Sequence, residues 1–510
     1  MRASASIAAI FAATLFAPVI HRARASENPL GQFDGQTGVG SPKIPGSATY
    51  DAANQEYTLT GAGTNMWSTS DQFHFLWKQL KGDFILRARL EFVGTGVNPH
   101  RKVGWMLRPS LETDAAYVDG AEHGSGLTSL QYRRAQGAKT EQIELSVTNA
   151  TIIQIERNGN SFVFSAARAG DPFVTAQLGD VTMPDEVYAG LFICSHEGAA
   201  AEKAIFRDVR IIHPAKAGFV PYKDFIGSVL EILDVSNGRL KMIHTSAQPL
   251  EAPNWTRDGR ALIYNISGRA AGWGRLARFD LATGHASPIN TGPANRNNND
   301  HVLSFDGKML GISDQSAFSD GQSRIFTLPI GGGAPKQITA LAPSYLHGWS
   351  PDGKLLVYTG RRNGKFDVYK ISSDGGDEIK LTNGEGFNDG AEYTPDGKYI
   401  YFNSTRTGKM QLWRMKPDGR DPEAVTSDEF NNWFPHISPD GKWIAFLSFS
   451  KDVAPTDHPY YHQVYVRLMP IEGGAAKVIA YVYGGQGTMN VPSWSPDSKR
   501  LAFVSNSGME

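Results

Sequence analysis

Six variants of one five-residue phrase recur through the second half of this chain, and they leave few folds open to it. They read Trp255-Thr-Arg-Asp-Gly259, Leu303-Ser-Phe-Asp-Gly307, Trp349-Ser-Pro-Asp-Gly353, Tyr393-Thr-Pro-Asp-Gly397, Ile437-Ser-Pro-Asp-Gly441 and Trp494-Ser-Pro-Asp-Ser498. The phrase Asp falls at 258, 306, 352, 396, 440 and 497, in steps of 48, 46, 44, 44 and 57 residues. A repeat of roughly 40–50 residues made of short strands around tight turns is the pattern of a β-propeller blade. In the turn itself, Pro presets φ at the first corner and Gly accepts the positive φ that follows.

Each copy carries further strand signals. An alternating strand follows the turn (Leu355-Leu-Val-Tyr358, Tyr399-Ile-Tyr-Phe402), then a third strand (Asp367-Val-Tyr-Lys370, Gln411-Leu-Trp-Arg414) and a fourth near Lys380-Leu-Thr382 or Ala424-Val-Thr426. Four strands make one blade, and blades bury their faces only by stacking into a ring. After the sixth phrase only Lys499-Arg-Leu-Ala-Phe-Val504 continues as strand, so that blade lacks two outer strands. Two orphan strands, Ser228 to Leu233 and Arg239 to Ile243, stand before the first phrase, joined by the hairpin turn Ser236-Asn-Gly238. They are expected to complete blade six and close a six-bladed propeller over residues 225–510.

At 510 residues two domains are the natural count. Lys and Arg number 50 against 51 Asp and Glu, a balance that carries no electrostatic footprint for nucleic acid or an anionic membrane. Residues 1–25 read as a signal peptide: Arg2, an apolar run from Ile7 to Ile20, and the Ala23-Arg-Ala25 cleavage pattern. A periplasmic or secreted protein with no membrane span after cleavage is the expectation. Cys194, the single cysteine, sits in the strand-like run Tyr188-Ala-Gly-Leu-Phe-Ile-Cys194 and reads as a small buried hydrophobe.

Residues 28–213 carry no copy of the phrase. Phe84, Leu86, Ala88, Leu90 and Phe92 alternate with Arg87, Arg89 and Glu91, and Ile152 to Phe164 reads as a hairpin around Asn158-Gly-Asn160. Strands without helices predict a two-sheet sandwich, joined to the propeller by a linker at 214–224. Gly61-Ala-Gly-Thr-Asn-Met-Trp67, Asp71-Gln-Phe-His-Phe75, Gly104-Trp-Met-Leu-Arg108 and Gly190-Leu-Phe-Ile-Cys-Ser-His196 resemble the concanavalin-A-like or laminin-G-like jelly roll. That resemblance implies sugar binding on aromatic and polar residues, with Trp67, Trp77, Trp105 and His196 as candidates, or packing alone.

The phrases, with Leu356-Val-Tyr358, Ile400-Tyr-Phe402 and Ile444-Ala-Phe446 after them, resemble the TolB-type propeller repeat. That repeat also occurs in prolyl-oligopeptidase-like enzymes and oligogalacturonate lyases, so it implies the fold more than an activity. No G-x-S-x-G elbow is present, which argues against a serine peptidase.

Propellers bind at the mouth of the channel, where inner strands begin. At that level stand His301, His347, Asp389, Glu392, Asn431, His436 and Asn490. Polar residues at one height of successive blades form a ligand pocket. Equally, such residues satisfy backbone groups between blades. His301, His347 and His436 beside a carboxylate are candidate ligands for a divalent cation, Mn or Ca. This constellation resembles the metal site of oligogalacturonate lyases, which implies elimination from a uronate. His301 and His347 precede the phrase Asp by five residues, Glu392 and His436 by four. The second pair therefore points between blades unless a bulge intervenes. The insertion from Lys451 to His462 is expected to cap the channel.

Two functions follow. One is recognition of a poly- or oligosaccharide or a periplasmic protein at the channel mouth. The alternative is a carbohydrate-active enzyme, a metal-assisted polysaccharide lyase or a glycoside hydrolase, with catalytic residues unknown.

Overall fold

The computed structural model describes residues 28–220, 223–268, 274–316 and 320–509, and the expected signal peptide lies outside them. Every described regular element is a strand. Five four-stranded antiparallel sheets follow one another from Leu250 to Gly484, each built from four consecutive strands. The sixth sheet takes Arg500–Asn506 and pairs it with Ser228–Asp234, which in turn pairs Arg239–Ser246. The orphan strands thus complete blade six, in the register Ile232 opposite Ala502. Its inner strand is reduced to one bridge between Trp494 and Leu501.

The repeated phrase earns its repetition through one small hydrogen-bonded unit. Ser350 Oγ donates to Asp352 Oδ1 at 2.6 Å, the same oxygen accepts Lys354 N at 3.1 Å, and Ser350 Oγ accepts Leu355 N at 2.9 Å. Side-chain oxygens therefore satisfy turn amides that no ladder reaches. Gly353 sits at φ +72°, where a Cβ is disfavoured. The sixth copy places Ser498 there at φ +60°, and its hydroxyl accepts Asp440 N at 2.9 Å, tying blade six to blade five. The phrase Trp residues tie blades in the same way: Trp349 Nε1 donates to Val302 O at 2.9 Å and Trp494 Nε1 to His436 O at 3.0 Å.

The N-terminal region consists of two antiparallel sheets around one apolar core. Leu86, Ala88 and Leu90 face that core as their alternation predicts. The other face of the strand Phe84–Val93 is not left to water, however: Ile85 and Arg87 are buried too. The propeller covers them. Tyr461 and Tyr483 pack against Ile85 and Ile212, while Tyr465 and Tyr481 pack against Ile152 and Ala167. Each of these tyrosines also spends its hydroxyl on a backbone group beyond blade five, Tyr483 accepting Ala215 N at 3.0 Å and Tyr481 donating to Asp171 O at 2.5 Å. Arg210 pairs with Glu231, which also accepts the Ser505 hydroxyl. The two halves also share one strand bridge, in which Val478 N donates to Gly170 O at 2.9 Å.

Candidate functional site

Each of the first five inner strands breaks its ladder once, with register shifts after Glu251, Asn297, Leu346, Asp389 and Trp433. A bulge re-aims the side chains around it. Blades that count alike from the phrase Asp therefore do not point alike. In blade two the shift precedes His301, which returns to the regular ladder opposite Ile312. In blade three the shift falls at His347 itself, between Leu346 and Gly348.

The result divides the seven predicted residues. His347, Asp389 and Asn490 line a cavity of about 550 Å³ at the end of the channel where the inner strands begin. The other four do not. His301 Nε2 bonds the Ile263 carbonyl of blade one at 3.1 Å, and burial pulls its pKa down to about 4. Asn431 bonds Met410 N and the Val453 carbonyl. His436 Nδ1 bonds Glu392 Oε2 at 2.8 Å and its Nε2 bonds the Met489 carbonyl at 3.1 Å. Glu392 faces a smaller hollow of about 330 Å³ at the opposite end, shared with Trp255, Arg257, Trp349 and Trp494. The three histidines expected to share a metal ion thus stand apart, each ring held by its own partners. Among the described residues no group of three or more His, Cys, Asp or Glu could hold a metal ion.

Three carboxylates from three blades face the large cavity: Glu251, Asp300 and Asp389. Asp389 Oδ1 lies 3.0 Å from His347 Nε2, accepts Thr359 Oγ1 at 2.6 Å and accepts Gly390 N at 2.8 Å. Burial raises the Asp389 pKa, but His347 and the Thr359 hydrogen bond outweigh it and hold it below the ordinary value. Burial likewise opposes charge on His347, and Asp389 with Asp300 outweighs it upward. Asp300 differs. Burial, with Asp389 and Glu251 nearby, pushes its pKa up to about 7, against the pull of His347. Burial also raises Glu251, whose Oε1 accepts the Tyr460 hydroxyl at 3.1 Å.

Aromatic rings form the remaining wall. Phe366 and Phe387 stand 4.6 Å apart between centroids, and Phe434 lies 6.1 Å from the His347 ring. The blade-five insertion reaches this cavity: His458 packs on Trp433 at 4.5 Å and lines it together with Tyr460. Asn490 Nδ2 donates to Gln486 Oε1 at 3.2 Å on the blade-six side. Sequence counting missed Glu251, Asp300 and His458. The run Asn297-Asn-Asn-Asp300, polar where an inner strand begins, was the available signal for Asp300.

The N-terminal candidates scatter. Trp105 is core, Trp77 Nε1 donates to Thr37 Oγ1, Trp67 is 37% exposed with Lys102 at 5.4 Å from its ring, and His196 lies against His100. Cys194 is buried and its thiol is pushed up to about 11 by burial, as an inert side chain requires. Among the described residues no helix is long and apolar enough to cross a membrane.

The chain is similar in sequence and fold to several known proteins. The TolB beta propeller domain matches residues 317–457. An uncharacterised protein of Agrobacterium fabrum is 45% identical over 279 residues, 54% of this chain and 92% of that protein. A solved candidate TolB from Agrobacterium tumefaciens shares 42% identity and a TM-score of 0.53, over 56% of this chain and all of that one. The Tol-Pal system protein TolB of Francisella tularensis subsp. tularensis is 26% identical over 132 residues, 26% of this chain and 29% of that protein. The chain therefore spans less than a third of this last relative.

Proposed function

This chain belongs to the TolB-type β-propeller family, and from that premise we propose that it is a recognition protein of the periplasm or cell exterior. It takes part of a glycan or of a protein partner into the cavity formed by Asp300, His347, Asp389 and Asn490. The carrying observation is that all six blades, or the segments leading into them, contribute polar or aromatic groups to one hollow of ligand size. The N-terminal region is read as a concanavalin-A-like jelly roll that holds the propeller and widens the contact surface. The Francisella relative is a Tol-Pal system protein, which supports a protein partner.

A hydrolytic reading has one observation in its favour. Asp300 and Asp389, carboxylates from different blades, line one cavity, and burial raises the first while His347 lowers the second, an asymmetry that acid–base hydrolysis of a glycoside uses. The metal-assisted lyase receives no such support, because the three histidines do not fit a shared ion.

The test is a binding screen by calorimetry against neutral and acidic oligosaccharides and periplasmic protein extracts, with Ser267→Trp placed to fill the cavity mouth. Ligands captured by the wild type should be lost in this variant with its thermal transition kept. Equal capture by both would end the cavity reading, and release of reducing ends that Asp300→Asn abolishes would favour hydrolysis.

A further inference from the structure

Resting on the cavity reading above, we infer that the group the cavity receives is an organic cation, an amine or guanidinium, borne by a free polyamine or by a lysine or arginine side chain of a protein partner. Two independent observations converge on this chemistry.

The first is charge. Glu251, Asp300 and Asp389 line the cavity, and none of its described lining residues is Lys or Arg. His347 compensates Asp389 through their 3.0 Å contact and also pulls on Asp300, so among the described lining residues three carboxylates share one cationic imidazole. Asp300 is 6% exposed and lines this cavity, close enough to His347, Asp389 and Glu251 to feel their charge, with Asn298 beside it. A buried carboxylate without a cation is held by neutralisation, and a ligand cation that enters restores its charge. A uronate or other anion would meet three carboxylates, with the charge of His347 already engaged by Asp389.

The second is the aromatic wall. Phe366, Phe387 and Phe434 border the same hollow, and a cation within about 6 Å of a ring centroid is attracted by the ring's quadrupole. Phe366 already carries one such contact, with the guanidinium of Arg361 at 5.6 Å. Carboxylates and aromatic rings bordering one hollow are the two features that desolvated ammonium and guanidinium groups use.

The chemistry fixes a pH dependence. Asp300 binds the cation only when ionised, and its pKa in the empty cavity is about 7. Affinity should rise as pH rises through 7, by up to tenfold per unit below it, and level off above. His347 and His458 face the same space, and both are buried. Protonation of either at low pH acts in the same direction.

The experiment is calorimetric titration of the full chain at pH 6, 7 and 8 with spermidine, with an N-acetylated peptide bearing one lysine, and with its acetyl-lysine counterpart. Maltotriose and an oligogalacturonate are the neutral and anionic controls. The expected result is binding of spermidine or the lysine peptide, at least tenfold loss with acetyl-lysine, and at least tenfold loss in Asp300→Asn together with a flattened pH profile. Which of the two binds tighter identifies the source of the cation. Asp389→Asn serves as a second variant should Asp300→Asn unfold. Failure of both amines to bind at millimolar concentration would overturn the inference, as would preference for either sugar or indifference to both Asn variants. A sugar that binds wild type and is lost in Ser267→Trp would sink the cation while leaving the cavity reading intact.

Discussion

His436 and Glu392 hold each other at 2.8 Å across the seam between blades four and five, with the second imidazole nitrogen on the Met489 carbonyl. Both residues are buried, and Glu392 Oε1 also accepts Ile437 N at 3.1 Å. The pair therefore joins three consecutive blades. Replacing Glu392 by Ala leaves Nδ1 of a buried imidazole and a strand amide unpaired, a loss of about 2–4 kcal/mol. Chemical denaturation of the propeller transition checks this, and ligand binding in the large cavity should stay unchanged. A variant as stable as wild type would contradict the role.

Ring closure depends on Phe503, fully buried and packed with Leu233 from the closing strand. Phe503→Ala should cost about 3–5 kcal/mol. Truncation after Val491 should do more, because Ser228–Asp234 then presents an unpaired edge and the protein should self-associate. A truncated protein that stays monomeric with an unchanged thermal transition would refute the closure.

Between the two halves, Glu231 carries the charge balance. Arg210 is its partner, and Arg87 is fully enclosed nearby, its pKa lowered to about 10 by burial against the pull of Glu231. Glu231→Gln should destabilise the joint by about 3 kcal/mol. Residues 28–213, expressed alone, keep their own core and should unfold cooperatively. They also expose Ile85, Ile152 and Ile212, so light scattering should report self-association that the full chain lacks.

Acidity offers a test inside the N-terminal sheets. Burial raises Glu122 from its ordinary 4.5 to about 8, although the Thr128 hydroxyl donates to it. The folded state keeps that proton longer than the unfolded chain. The stability it permits is fully present below pH 4.5 and falls as pH rises toward 8. Glu122→Gln should flatten this decline and, at pH 8, exceed wild type by on the order of 2–4 kcal/mol. Parallel stability curves for the two proteins across that range would count against it.

The propeller was legible because its signal is local: the Ser, Asp and Gly of each phrase build a self-contained turn, and Ser228 to Ile243 remained as strands without a sheet. The site was less legible because its geometry turns on bulges. Counting residues from the phrase Asp gave His301 and His347 the same height, yet a shift before one and at the other sends one ring to the Ile263 carbonyl and the other to the cavity. Asp300 was hidden by the same displacement, since it takes the orientation its neighbour was expected to have. The covered face of Phe84–Val93 was invisible for another reason. The alternation of Arg87 and Arg89 with apolar residues is also that of a solvated strand face, and only the tyrosines of a blade encoded hundreds of residues later, packed on Ile85 and Ile152, show that this side of the sheet is covered.

The pairing of Ser228–Asp234 with Arg500–Asn506 also sets an order of events during synthesis. The N-terminal sheets can complete their core once residue 213 has left the ribosome, but the hairpin that follows must wait, one edge open, until every other blade has been made. For that interval the nascent chain carries a sticky strand anchored to an already folded unit. The folded unit holds the hairpin by its far side, where Gln55 clasps Met242 of the outer strand through two hydrogen bonds, Nε2 to the carbonyl at 2.8 Å and the amide to Oε1 at 3.0 Å, and the edge of Ser228–Asp234 stays open. The first-made half of the protein thus acts as an internal escort for the strand on which the second half closes.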